Sequence, residues 1–502
     1  MSKLATTSNI SMETLEDVLK IPSDSLNFSD FSDTLHLPDI LNGQNSLNNP
    51  QNWNQEEIGE IDQANLKTQN KENLILGKIK KIWQSLGPGL VTGASDDDPS
   101  GITTYSQAGA TFGLNTLWTT FLSFPLMLSV QEMCGRIGIV QQKGLMSVVL
   151  ANYPRFLGYG LALITIPACV LNIAANLGGM GAVVYMVWPV MDARLWTGIF
   201  AILISFLMVI LPYKKLENYL KWLCLVLLVY LIVPFLVQQN WLEIGHSIIF
   251  PQIQFNKDYL LMLVAILGTT ISPYLFIWQT SMETEEISQK IKENGGEFVH
   301  LPSQFQNQTI LQKEVKNMRK DNFVGMFFSN LVMFFVILTA GTILHKNGVN
   351  QINSVQDAAV ALRPIAGENS YFLFAMGVVG TGFLAIPVLA GACAYIVSDL
   401  TGFFGSMDAK FLEAKSFYVT IIGSILVGFA LTLFGMDPVQ MLIWTAVIYG
   451  MVSPILIAFL LHICNNSTIM GKFTNSKLSN FFGGLCFVLM FLSSFALLFT
   501  FF

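Results

Sequence analysis

Residues 95–101 read Ser95-Asp96-Asp97-Asp98-Pro99-Ser100-Gly101, and apolar sequence long enough to enter a bilayer continues on both sides of them. One aspartate at the centre of a membrane helix costs about 2.5–3.5 kcal/mol, and three would cost about 8–10 kcal/mol on the same scale. No basic residue stands nearby in the sequence to offset them. Such a run is tolerated only where the backbone is unwound and water or a cation reaches it. Pro99 supplies the unwinding, because it lacks the amide hydrogen that the helical ladder needs. The half-helix ending before it also presents unpaired carbonyls with partial negative charge. A negative pocket of hard oxygens suits a cation. A second apolar stretch is interrupted in the same way by Gly268-Thr269-Thr270-Ile271-Ser272-Pro273, with Pro273 as its break.

The two breaks need a membrane-spanning scaffold to hold them. Of 502 residues, 52% are hydrophobic and 12% charged, about half the charge of an average soluble domain. Eleven apolar spans can be placed, at about 86–112, 114–135, 157–188, 195–212, 218–237, 258–281, 322–345, 370–400, 416–434, 439–463 and 480–501. The breaks fall in the first and the sixth. Broken helices at matching positions five apart point to an inverted repeat with a transport site at the midplane. The predicted fold is therefore all-α and integral to the membrane. Its first repeat covers about 86–237, its second about 258–463, and an extra helix about 480–501, all within a transporter domain of residues 81–502.

Residues 1–80 are rich in Asn, Asp, Ser and Gln without a sustained apolar run. They read as a largely disordered cytosolic tail. Amphipathic pieces such as residues 12–19 could fold on a cytosolic partner. With the N-terminus inside, Arg194, Lys257, Lys346 and Arg363 are the outward-facing basic residues, which leaves 23 of the 27 inside. That bias orients the protein in a bacterial inner membrane with its C-terminus outside. The net charge of −6 argues against nucleic acid as a partner. The six cysteines stand singly, without CxxC spacing, and read as packing residues. No nucleophile–base pair or cofactor motif suggests an enzyme or a resident cofactor.

Asp98-Pro99-Ser100-Gly101 followed by Gln107-Ala108-Gly109-Ala110 resembles the first-helix signature of the NRAMP metal transporters, usually DPGN and then QAGA. Gly268-Thr269-Thr270-Ile271-Ser272-Pro273-Tyr274 resembles their sixth-helix signature, usually GATIMPH. Gly87-Pro88-Gly89 and the turn at residues 215–217 also fit. The resemblance covers about residues 85–500 and implies a LeuT-like fold of five plus five helices and an eleventh. It implies a metal held by Asp98, the Gly101 position, the Thr269 carbonyl and the Ser272 position, with Asp97 as a further candidate.

The departures from the family pattern shape the expected substrate. Gly101 replaces an asparagine and Ser272 a methionine, so the soft thioether is missing. An all-oxygen site suits Mg²⁺, Mn²⁺ or Ca²⁺, and losing two side-chain ligands is expected to leave room for a partly hydrated ion. This pattern resembles the NRAMP-related magnesium transporters. The family's proton route places a histidine where Tyr274 stands, and an aspartate and a glutamate where Asn176 and Gly179 stand. None of these three exchanges a proton near neutral pH. The expectation is a secondary transporter or facilitator of Mg²⁺ first and Mn²⁺ second, working by alternating access without proton coupling.

The alternatives are a proton-coupled manganese or iron carrier, an amino-acid or organic-cation carrier of the same fold, and a metal sensor without transport. Asp96, Ser100, Tyr105, Gln107 and Asn330 are candidates for the pathway or its gating. Glu132 and Asp399 read as interface or gate residues. The Gly178-Gly179-x-Gly181 run reads as close helix packing.

Overall fold

The computed structural model describes residues 88–211, 215, 228–236, 239–293, 308–352, 355–363, 367–435 and 437–501. The predicted tail, Gly87, Cys224, residues 216–217 and the first half of the fifth span lie outside these described residues. The regular structure among the described residues is helical throughout.

The first span is two helices, α1 (Pro88–Asp96) and α2 (Pro99–Phe112). The second is α3 (Trp118–Gln141), followed by a short α4 (Leu145–Asn152). The third and fourth are α5 (Arg155–Val187) and α6 (Ala193–Ile210). The fifth is described over α7 (Leu228–Leu236), and α8 (Trp241–Ile249) follows it. The sixth is again two helices, α9 (Lys257–Thr270) and α10 (Pro273–Glu293). The seventh is α11 (Gln308–Ile343); after the short α12 (Val355–Val360) come α13 (Ser370–Thr401), α14 (Lys415–Thr432) and α15 (Pro438–Asn465). A single turn, α16 (Ser467–Met470), leads to the last helix, α17 (Lys477–Phe501).

Eight stretches among the described residues are long and apolar enough to cross a membrane, and they coincide with the third, fourth and sixth to eleventh spans. The first misses because it carries three adjacent aspartates; the sixth is also broken and still qualifies. The second carries Gln131, Glu132 and Arg136 in the C-terminal half of its helix, and the fifth is only partly described. Helix ends differ from expectation chiefly on the polar side. α3 runs on to Gln141, α10 reaches Glu293 and α11 begins at Gln308, so much of the polar stretch between the sixth and seventh spans is helix. Charge pairs support these extensions: Lys290 meets Glu286 at 2.6 Å within α10 and Glu314 of α11 at 2.7 Å.

Helix neighbours repeat under a shift of five spans. The first span lies on the seventh (α1 and α2 on α11) as the sixth lies on the second (α10 on α3). The third packs on the fourth (α5 on α6) as the eighth does on the ninth (α13 on α14). The second–seventh and third–eighth contacts map onto themselves. This is the neighbour pattern of a LeuT-like inverted repeat. α17 packs on α15, α9 and α3 and leaves Leu478, Phe481, Phe491 and Phe495 exposed, as a lipid-facing eleventh helix should.

Small residues let the broken helices sit close to their neighbours. A β-carbon on Gly93 of α1 would lie 2.3 Å from the Gly325 carbonyl oxygen of α11. One on Gly268 of α9 would lie 2.0 Å from the Ala446 carbonyl oxygen of α15. In the expected packing run, Gly181 fits that role, since its β-carbon would meet Thr197 Oγ1 at 2.1 Å, whereas Gly178 and Gly179 have more space. The five described cysteines, Cys134, Cys169, Cys393, Cys464 and Cys486, are unbridged and buried.

Adding a methyl group should therefore separate tight from open glycines. Gly93→Ala and Gly268→Ala are each expected to destabilise the protein by about 1–3 kcal/mol through overpacking. Gly423→Ala, where nothing lies within 4 Å of the new β-carbon, is expected to be neutral or stabilising by about 0.5–1 kcal/mol. Thermal unfolding in detergent, followed by tryptophan fluorescence, reads the difference.

Candidate metal-ion site

Asp98 is the N-cap of α2, with φ −67° and ψ 171°, and Pro99 takes the first helical position. Its Oδ1 accepts from the Gly101 N–H at 2.7 Å and its carbonyl from the Ile102 N–H at 3.0 Å. The aspartate thus answers donors that every helix start leaves unpaired. From α5, one turn apart, Asn172 and Asn176 both donate to Asp98 Oδ2, at 3.0 and 3.1 Å. Asn176 was a candidate by resemblance. Asn172 was missed, although its place one turn before Asn176 puts both amides on one helix face.

Asp96 belongs to a different neighbourhood. Its Oδ2 accepts from Ser329 of α11 at 3.0 Å, while Oδ1 has no partner. Asp97 is fully buried and neither of its carboxylate oxygens accepts a hydrogen bond from the protein. The three aspartates therefore diverge, one toward α5 and one toward α11. Among the described residues, no group of three or more His, Cys, Asp or Glu side chains is placed to hold one metal ion.

At the second break, α9 ends on Thr270 and α10 starts on Pro273, with Ile271 at φ −121° and ψ 63° between them. Hydroxyls take up the carbonyls freed there. Ser272 Oγ donates to the Thr269 and Gly268 carbonyls at 2.7 and 3.0 Å. Ser453 of α15 donates to the Ile271 carbonyl at 2.6 Å. Tyr274 reaches across to the other break, where its hydroxyl donates to the Ser95 carbonyl at 2.8 Å, and its ring rests against Tyr449 at 5.6 Å.

The two breaks meet at Gly101. A β-carbon there would lie 2.9 Å from the Asp96 carbonyl oxygen, 3.3 Å from Thr269 Oγ1 and 3.5 Å from the Tyr105 ring. Gly101 thus lets the backbone of one break close on the other. The extra room expected from losing an asparagine side chain is not there, because the end of α1 occupies that side.

The remaining candidates divide between the site and its scaffold. Ser100 lies at the break, its hydroxyl donating to the Leu442 carbonyl of α15 at 2.9 Å. Tyr105 is fully buried with an unpartnered hydroxyl. Gln107 is occupied elsewhere: it donates to Thr111 at 2.6 Å and accepts from the Ile352 N–H at 2.9 Å, pinning the segment after α11. Asn330 bridges α11 to α3, with its amide nitrogen 2.8 Å from the Thr120 carbonyl and its oxygen 3.0 Å from the Phe124 N–H. It stands against the helical rung just before Pro125, where the ladder of α3 is already weakened.

Glu132 pairs with Arg136 at 3.0 Å and with Arg319 of α11 at 2.8 Å. Asp399 accepts from Ser147 Oγ at 2.7 Å, holding the start of α4 to the end of α13. Both are contacts between helices, as expected, and neither is a ligand of the break.

A carboxylate offers about four lone-pair sites. Asp98 uses three on its amide donors and keeps one, Asp96 uses one, and Asp97 uses none. With the Thr269 hydroxyl and the Asp96 carbonyl beside Gly101, the crossing is lined by hard oxygen, and among the described residues its carboxylates have no basic partner. It can bind and release a hard cation, and nothing in it can act as a nucleophile–base pair.

The chain matches the family described as natural resistance-associated macrophage protein-like, Nramp, over residues 89–500. It is 24% identical over 421 residues to the "Divalent metal cation transporter MntH" of Caldanaerobacter subterraneus subsp. tengcongensis, covering 83% of this chain and 93% of that one. It is 22% identical over 417 residues to the protein of the same name from Yersinia pestis, covering 81% and 93%. Among solved structures it is similar to the Eremococcus coleocola manganese transporter in complex with an aromatic bis-isothiourea substituted compound. That likeness has a TM-score of 0.62 and 17% identity, covers 82% of this chain and 86% of the other, and shows the fold. With the family match extending over most of its length, the chain belongs to the Nramp family and is an integral membrane secondary transporter of divalent metal cations.

Proposed function

We propose that the chain carries Mn²⁺ first and Mg²⁺ second, inward across a bacterial inner membrane, by alternating access. The observation that supports this reading is the crossing of two broken helices at Gly101, whose N–H is bonded to Asp98 Oδ1 and whose other side faces Thr269 Oγ1, with no thioether beside it. The names of the relatives favour manganese and reverse the order that the sequence suggested. Magnesium keeps the second place on one specific ground. Ser272 stands where the family pattern has a methionine, and an all-oxygen site discriminates poorly among Mn²⁺, Mg²⁺ and Ca²⁺. In this reading Asp98 and the Thr269 carbonyl are the ligands, Ser272 and Asp97 border the site, and Pro99 and Pro273 keep both breaks open.

Transport in this reading needs no proton. Tyr274 spends its hydroxyl on the Ser95 carbonyl, Asn176 spends its amide on Asp98, and Gly179 has no side chain to titrate. At about 100 mV inside negative, a divalent cation gains about 4.6 kcal/mol on entry, twice the single-charge value. The proposal keeps residues 1–80 as a cytosolic tail, residues 81–502 as the transporter domain, the N-terminus inside and the C-terminus outside.

Two measurements test it. In liposomes with an imposed inside-negative potential, Mn²⁺ should enter without internal acidification, and Asp98→Ala should lower uptake about 100-fold or more, as loss of a charged ligand worth about 3 kcal/mol would. Acidification that tracks Mn²⁺ entry would mean a proton-coupled carrier instead. In a second assay, Ser272→Met should raise Cd²⁺ uptake relative to Mg²⁺, because a thioether favours the softer ion. An unchanged Cd²⁺ to Mg²⁺ ratio would remove Ser272 from the site.

A further inference from the structure

Most of the free carboxylate oxygen of the first break lies away from Asp98. Three of the four carboxylate oxygens of Asp96 and Asp97 accept no hydrogen bond from the protein, although both residues are at most 1% exposed. Their surroundings are built. α1 lies along α11 with Gly89 against Asn322 and Gly93 against Gly325, and the same face ends in the bond from Ser329 to Asp96 at 3.0 Å. Ser329 is also the polar side chain next to Asp97.

A second side chain lies close by. Tyr105 is fully buried, its hydroxyl has no partner, and its ring would stand 3.5 Å from a β-carbon on Gly101, which the Asp96 carbonyl oxygen would approach to 2.9 Å. The oxygens gathered there are all hard. The charge count leads the same way: three adjacent carboxylates have no lysine, arginine or histidine paired with them among the described residues.

We propose that Asp96 and Asp97, with the hydroxyls of Ser329 and Tyr105, form a second station for a divalent cation on the α11 side of the break. It is distinct from the Asp98 position, which faces α5. The station rests on the reading of the chain as a Mn²⁺ or Mg²⁺ carrier and deepens it: two hard cations occupy the break together during a transport cycle. Its all-oxygen set of carboxylates and hydroxyls suits Mg²⁺ and Mn²⁺ alike.

The test is a count of ions. Purified protein in detergent is titrated with Mn²⁺, and free Mn²⁺ is read from its electron paramagnetic resonance signal. Wild type should bind two ions per chain. The double variant Asp96→Asn with Asp97→Asn should bind one, and Asp98→Asn should also bind one. Ser329→Ala, which keeps every carboxylate, should weaken the second ion about tenfold and leave the first ion's affinity unchanged, whereas a folding defect would weaken both. A single bound ion in wild type, whichever variant removes it, overturns the second station while the transport reading stands. No bound Mn²⁺ in any form, with no competing Mg²⁺ binding, overturns both.

Discussion

Three neighbouring carboxylates are buried in a membrane protein without a basic side chain to pair with them, and the surrounding elements are arranged around that cost. Where an arginine or lysine would have neutralised the charge, this chain brings polar donors instead. The start of α2 offers the Gly101 N–H, α5 offers two amides, and α11 offers one hydroxyl. These four donors come from three helices, so the charge is shared out rather than cancelled. A site kept negative by this means attracts cations, whereas a salt bridge at the same place would have closed it.

The same logic governs the backbone. Breaking two helices in the membrane frees carbonyls that must be satisfied by protein, and hydroxyls on neighbouring helices do so. Tyr274 ties α10 to the end of α1, Ser453 ties α15 to the end of α9, and Ser100 ties α2 to α15. At the other end of α1, the Gly89 N–H donates to Asp321 of α11 at 2.7 Å. In the proposed alternating access, a moving half-helix would leave these discrete hydrogen bonds as well as apolar packing. Such bonds are worth about 0.5–1.5 kcal/mol each, small enough for thermal motion to break in turn.

Much of this was legible in the residues. Two prolines inside apolar runs located both breaks, and their places in the span order predicted the five-helix repeat that the helix neighbours display. Asp98 and Asn176 were readable because they stand in motifs. Asn172 was not, since an amide on an apolar helix looks the same in sequence whether it touches a neighbour or a ligand. Gln107 and Asn330 illustrate the reverse: polar type suggested a pathway, yet each is consumed by a contact between elements that no spacing encodes. The tightness at Gly101 was also hidden, because it depends on how closely α1 approaches α2 after the chain turns. Helix ends at 283–321 were misjudged for a simpler reason, that polar composition marks the edge of the bilayer and not the end of a helix.

With Asp98 as the proposed ligand, its two asparagines bear on how the ion would leave. A carboxylate with both oxygens unengaged would hold a divalent cation tightly, and a carrier must also release what it binds. By accepting from Asn172 and Asn176, Asp98 Oδ2 has part of its electron density already committed. An arriving cation must either share that oxygen with the amides or use the single site left on Oδ1. The binding free energy is reduced by what the amides contribute, while the uncommitted oxygens of Asp96 and Asp97 keep the break attractive from a distance. Strong attraction at long range with moderated binding at contact is what a carrier of a strongly hydrated ion requires, and in this chain the two properties reside on different aspartates of one short run.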